Sequence, residues 1–422
     1  MTIDTHRGRP PPRTPQAWRP SNQRAALPAV LGTGLATLAC AWPTSAQAHV
    51  KWFSNVVNCG ATPLSPLAVL GSPLFVMLVL GALLTLCIVF MVERHILPRF
   101  ETLHQVHADW KQRFSRNAAW LLRIGVCVYF VSLFTQDGQG RIVLTPELKT
   151  AGSWVGPVQL LIAALVLWKR TVPLAVLGML SLYAHGVWAA GWFHMLDYVY
   201  FLGAAAFLWL DATQGVAMHY IAFTLLRVSA GFSFMWVSIE KWLYPQWTYD
   251  ILDHELAMVT MGLDKSFFVM SAGMVEFCLA LLLVLGRLSS QVASLVLLAL
   301  MVAAIPLVGV IDAIGHAPLM VVLFIFSASQ NRIGYRAEAA RRGADLGHVL
   351  TFALAVPGCM GLYTLMHALA YPGTGELPTW HTLLALLMSL PLLWRLWHTT
   401  PKLFPVRRRP WRELVTLSPQ AA

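Results

Sequence analysis

The sequence predicts an all-α fold, a polytopic transmembrane helix bundle. Three observations predict it. Of the 422 residues 57% are hydrophobic and only 12% charged; the mean hydropathy is +0.62; and apolar stretches long enough to cross a bilayer, roughly 20 residues each, recur along nearly the whole chain after residue 70. Soluble domains carry more charge than this. A net charge of +11 would suggest nucleic acid in a soluble protein, but in a membrane protein basic residues hold loops on the cytoplasmic side. The lipid bilayer is therefore the expected partner, and nucleic acid is not.

In chain order, the first 24 residues are rich in Pro and Arg, an apolar run extends from Ala25 to about Trp42, and Ala46-Gln47-Ala48 follows. That is the layout of a secretory signal peptide over 1–48 with an A-x-A cleavage site, and it makes His49 the first residue of the mature chain. An uncleaved first helix is the rival reading, weakened by Gly32, Gly34 and a short apolar core. Eleven spans follow, near 73–92, 117–134, 153–168, 172–190, 194–210, 218–238, 266–286, 290–310, 315–328, 349–370 and 379–397. With His49 outside, an odd number of crossings puts the C-terminus inside. Lys and Arg placement agrees: the loops assigned inside hold seventeen, including Arg94, Lys111, Lys169, Arg170 and Arg407 to Arg409. Those outside hold Lys51, Arg141, Lys149, Lys241 and Lys265. This bias is the positive-inside pattern of a bacterial-type inner-membrane protein.

The chain also repeats. Leu121-Leu122-Arg123-Ile124 followed by Phe130 matches Leu225-Leu226-Arg227-Val228 followed by Phe234, and Gly156-Pro157-Val158-Gln159 matches Gly273-Met274-Val275-Glu276. The expected organisation is residues 49–116 (extracytoplasmic N-terminus, first span, basic cytoplasmic loop), a four-helix unit at 117–211, a second at 215–330, and 331–422 (two spans and a basic tail). An even number of spans separates equivalent helices, so the copies share one orientation, as in parallel-repeat transporters.

The stretch LLRVSAGFSFMWVSIEKW, residues 225–242, resembles the opening of DoxX-like membrane proteins, with Arg227, Gly231, Phe234 and Lys241 at the family's positions. The resemblance continues through Glu276, Arg287 and Met301 and covers the second unit. The first unit has Cys127 where the second has Gly231, and Asp137 where it has Lys241. The resemblance implies a four-helix fold and, for some members, thiosulfate:quinone oxidoreduction.

Candidate chemistry follows from charge placed at depth. Counting 1.5 Å per residue, Arg227 and Glu276 both fall near 15 Å from the inner surface. Unpaired charges there cost several kcal/mol, so the two are expected to meet, either as a proton relay or ligand anchor or as an ion pair that fixes helix register. Gln159 stands where the second unit has Glu276, and Arg123 is shallow enough to snorkel. Histidines gather near the outer helix ends, among them His49, His185, His194, His254, His316 and His367, with Asp197, Glu240 and Asp312. A terminal His49 would offer amine and imidazole to one copper ion, with His254 as the candidate second ligand; no compact H-x-x-x-H pair supports it. The tryptophans near span ends, Trp52, Trp242 and Trp247 among them, suit interfacial belts. The six cysteines lack ligand spacing and read as packing residues, and the segment 242–264 either caps a cavity or links two helices. No nucleotide-binding loop, zincin motif, nucleophile elbow or haem-attachment CxxCH is present.

Three function classes fit. The first is membrane redox chemistry with a quinone and a membrane redox partner. The second is extracytoplasmic copper handling or transport through His49, and the third a non-catalytic assembly subunit. Quinone and copper are the cofactors these readings admit.

Overall fold

A computed structural model describes residues 50–54, 56–95, 101–137, 141–254, 260, 262–285, 289–329, 344–372, 383 and 387–390. The expected signal peptide, His49, most of the expected span at 379–397 and the basic tail lie outside these residues. Among the described residues the fold is all-helical, with extended pairing at an isolated bridge between Ile142 and Lys149.

The chain is a multi-pass membrane protein: nine helices of the described residues are long and apolar enough to cross a bilayer. In order, the helices are α1 (Val50–Phe53), α2 (Pro66–Leu70), α3 (Pro73–His95), α4 (Glu101–Asp137), α5 (Val155–Leu165), α6 (Val172–Ala190), α7 (Val199–Thr213), α8 (His219–Leu243), α9 (Pro245–His254), α10 (Lys265–Leu285), α11 (Ser289–Val308), α12 (Val310–Ala328) and α13 (Ala344–Ala370). Two differ from expectation. The stretch 101–116, expected as a basic loop, is the first part of α4, whose apolar part is Asn117–Gln136. The span expected at 153–168 is α5, an 11-residue helix, about half the bilayer core's thickness at 1.5 Å per residue. The segment before it accounts for the shortfall: a hairpin over 141–150 dips into the bundle, and the Gln159 amide of α5 donates to the carbonyls of Ile142 (2.5 Å) and Val143 (3.2 Å).

The helices α4, α5, α6, α7, α8, α10, α11 and α12 form a ring. Each packs on the next, and α12 returns to pack on α4; α3 and α13 pack together, α3 also on α10 and α13 on α8. Lipid offers helices no hydrophobic drive to associate, so small residues that admit close backbones set the contacts. A methyl at Gly231 of α8 would lie 2.3 Å from the Val284 side chain and 3.1 Å from the Ala280 carbonyl of α10; one at Gly273 of α10 would lie 2.5 Å from Trp242 and 3.1 Å from the Ser238 carbonyl. Together these fix the antiparallel register of α8 and α10. Leucines such as Leu80 and Leu84 of α3 face outward, while α8 buries most of its surface.

One end of the bundle is capped. There α1, α2, the 141–150 hairpin, a 3₁₀ turn over His194–Tyr198 and the amphipathic α9 meet the ends of α8 and α13 and the starts of α10 and α12. Within the segment 242–264, α9 supplies a cap, burying Pro245, Trp247, Ile251 and Leu252. Trp242 is not interfacial but fully buried, edge-on to Phe75 at 5.0 Å with its indole N–H donating to the Met270 carbonyl.

Candidate functional site

The capped end gathers buried charge. Its first centre is Lys51, on α1, whose ammonium donates to Asp197 Oδ2 at 2.7 Å and Glu240 Oε1 at 2.6 Å, all three side chains being nearly or fully buried. Tyr363 of α13 donates to the same Glu240 oxygen at 3.2 Å, and the ammonium lies 5.7 Å from the centre of the Trp247 ring, within cation–π range. Burial works to push the Lys51 pKa down, but Asp197 and Glu240 outweigh it and hold the group well above the ordinary lysine value. Lys51 is therefore a fixed positive charge at any physiological pH.

Local structure explains this convergence. Gly191, at φ 88°, ends α6, and the 3₁₀ turn that follows aligns residues three apart, so His194 and Asp197 share one side of it. On α8, Glu240 and Lys241 are neighbours and so point about 100° apart. Glu240 turns to Lys51, and Lys241 to Glu276 of α10 at 2.5 Å. The hairpin turns at Thr145-Pro146-Glu147-Leu148, closed by Leu148 N–H to the Thr145 carbonyl at 2.9 Å, with Pro at the second position where its fixed φ suits the turn. Glu147 is thereby carried to the Tyr198 hydroxyl, which donates to it, and to His194 Nε2 at 3.0 Å.

A cavity lies between these groups. Among its walls are Trp52, Asp197, Tyr198, Phe234, Lys241, Glu276 and His316, and it has about 30 Å³ of room for the centres of water-sized spheres, enough for about two waters. Phe234, Val237 and Lys241 line it from one face of α8, as the i, i+3, i+7 spacing requires. His316 is held by Asp312, one turn earlier on α12, at 3.0 Å and stacks against Trp52 with ring centres 4.6 Å apart. Trp52 in turn donates its indole N–H to Tyr198 at 3.0 Å.

Several sequence expectations change here. Glu276 pairs with Lys241 in place of Arg227. The register seats Gly231 against Ala280 and Val284 and Trp242 against Gly273, so Arg227 lies near the far end of α10; fourteen residues of helix separate it from Lys241, about 21 Å. Depth counted from guessed helix ends missed this. Of the family-motif positions, Gly231 admits α10, Phe234 lines the cavity and Lys241 holds Glu276. Arg123 binds Asp211, near the end of α7, at 2.7 Å. Of the candidate copper ligands, His49 lies outside the described residues. The other, His254, has a largely exposed side chain and faces Asp250 of its own helix, 2.8 Å from the backbone carbonyl. No group of three His, Cys, Asp or Glu among the described residues converges as a metal site. Sequence reasoning had Asp197, Glu240 and His194 but missed Lys51 as their centre; the signal was a charged residue beside Trp52 in an otherwise sparsely charged segment.

No protein-family model matches the chain, and neither does any curated protein or solved structure. The DoxX-like resemblance therefore rests on the residues that carry it.

Proposed function

We propose that the protein serves the proton side of membrane redox chemistry, exchanging protons through the acid–base groups at its capped end. One observation carries this reading: the water-sized cavity bounded by the Lys241–Glu276 pair, Asp197, Tyr198 and His316. Ionisable groups at membrane depth are costly to keep and mark proton paths when they surround water. Quinone is the redox partner class that the DoxX-like resemblance implies. Room for about two waters suits proton delivery rather than a quinone ring, which would dock with a partner or at the bundle surface. The orientation that fits the Lys and Arg bias puts the capped end outside and the opposite end, with Lys169 and Arg170, in the cytoplasm. Two parallel four-helix units, 117–211 and 215–330, fit the ring and make Lys241–Glu276 a feature of the second copy alone.

Proteoliposomes enclosing a pH-sensitive dye test it. Under an imposed potassium diffusion potential, protein-containing vesicles should take up protons faster than empty ones. Glu276→Gln should cut that excess at least tenfold, and His254→Gln, on the exposed face, should leave it intact. Flux equal to that of empty vesicles would overturn the reading. An organic extract of the purified protein or its co-purifying complex should contain quinone, and its absence would remove the redox assignment.

A further inference from the structure

We propose that Cys59, His194 and Glu147 form a nucleophilic thiol site at the capped end that undergoes thiol–disulfide exchange with a disulfide presented from solution. Cys59 lies on a turn, closed by Ala61 N–H to the Asn58 carbonyl at 3.0 Å, and is partly exposed. Its Sγ is 3.7 Å from His194 Nδ1, within reach of a hydrogen bond to sulfur. The other ring nitrogen, Nε2, is 3.0 Å from Glu147 Oε1.

Glu147 Oε1 accepts from Nε2–H, so Nδ1 is the ring nitrogen turned to the thiol, where it accepts the thiol proton or, once protonated, donates to the thiolate. Thiol, imidazole and carboxylate in line are the arrangement that activates a cysteine nucleophile, with the carboxylate orienting the base. Glu147 is itself held by the Tyr198 hydroxyl. The Cys59 backbone is held as well: His367 Nε2 donates to its carbonyl at 3.0 Å, and Tyr244 donates to the next carbonyl but one, that of Ala61, at 2.7 Å.

The surrounding backbone selects the reaction. Acyl transfer needs free N–H groups near the nucleophile to stabilise an oxyanion. The two that follow Cys59 are taken: Gly60 N–H donates to Asn58 Oδ1 at 3.0 Å, and Ala61 N–H to the Asn58 carbonyl. Disulfide exchange develops charge on sulfur and needs no such hole. In the step, the Cys59 proton passes to His194 Nδ1, and the thiolate attacks one sulfur of R–S–S–R′. The new Sγ–S bond forms as the S–S bond breaks, and the departing R′S⁻ takes the proton from the imidazolium and leaves as R′SH. The disulfide is the only oxidant required; the site and the proton cavity share Tyr198, but neither proposal depends on the other.

The test uses the full-length purified protein with Cys40, Cys87, Cys127, Cys278 and Cys359 replaced by alanine, and 4,4′-dithiodipyridine as the disulfide. One thiopyridone should be released per chain, at a rate that changes less than about threefold between pH 6 and pH 8. An unassisted thiol of pKa about 8.5 changes nearly tenfold per unit over that range. His194→Gln should lower the pH 6 rate at least tenfold and restore the steep profile, and Glu147→Gln should fall between. Glutathione disulfide should then leave one glutathionyl group on Cys59 by mass spectrometry. A steep profile in the parent, which needs no His194 variant to read, overturns the proposal, as does a properly folded His194→Gln protein with the parent's profile.

Discussion

At the scale of single residues, the buried charges make the sharpest predictions, because removing one partner leaves the other without its counter-charge. Lys51→Met takes the ammonium away from Asp197 and Glu240, both hydrogen-bonded to it, and should cost about 3–5 kcal/mol. Thermal unfolding in detergent measures it, and adding Glu240→Gln to Lys51→Met should recover part of the loss. The pH dependence has a definite sign. A lysine whose folded pKa is raised contributes stability that is fully present below its unfolded value of about 10.4 and is lost only as pH rises through the higher folded value. The Lys51 contribution should therefore stay level from pH 7 to 9. A second cycle separates the two pairings of Glu276. Lys241→Met and Glu276→Gln should be non-additive by at least about 0.5 kcal/mol, whereas Arg227→Met and Glu276→Gln should add within about 0.5 kcal/mol; the opposite pattern would mean that Glu276 answers to Arg227 after all.

At the scale of elements, one glycine decides how the N-terminal segment seats. A methyl at Gly315 of α12 would lie 2.2 Å from the Trp52 ring and 3.2 Å from Pro146. Gly315→Ala should therefore cost about 1–3 kcal/mol and shift Trp52, read as a lower unfolding temperature and altered tryptophan fluorescence. Trp52→Leu in the same chain should relieve the clash. The elements were legible in the sequence to different depths. The long apolar helices were, since composition at bilayer length has few other meanings. The register was not: Arg227 and Glu276 had plausible depths, but which residues face each other is set by Gly231 and Gly273 against larger neighbours, and spacing along one chain does not report that. The short α5 was hidden too, because its apolar run continues to Trp168 while Gln159 ties it to the hairpin. Asp197, Glu240 and His316 could be placed at one end by counting spans, but Lys51 and Glu147 sit on segments without periodicity, where sequence gives no direction for a side chain.

At the scale of the whole molecule, the arrangement predicts sidedness. Single cysteines at Asn58 and Lys169, in an otherwise cysteine-free chain, should differ: an impermeant maleimide should label position 58 in intact spheroplasts and position 169 only after lysis. Labelling of position 169 in intact cells would invert the proposed orientation. The Lys51 centre also has a consequence in time. Lys51 meets carboxylates that lie 146 and 189 residues later in the chain. At synthesis rates of about 5–20 residues per second, Glu240 emerges roughly 10–40 s after it. Until then the Lys51 segment lacks the carboxylate that completes its site, so it is seated late although it is made early in the described part of the chain, and a nascent chain halted before residue 240 should leave Lys51 open to modification.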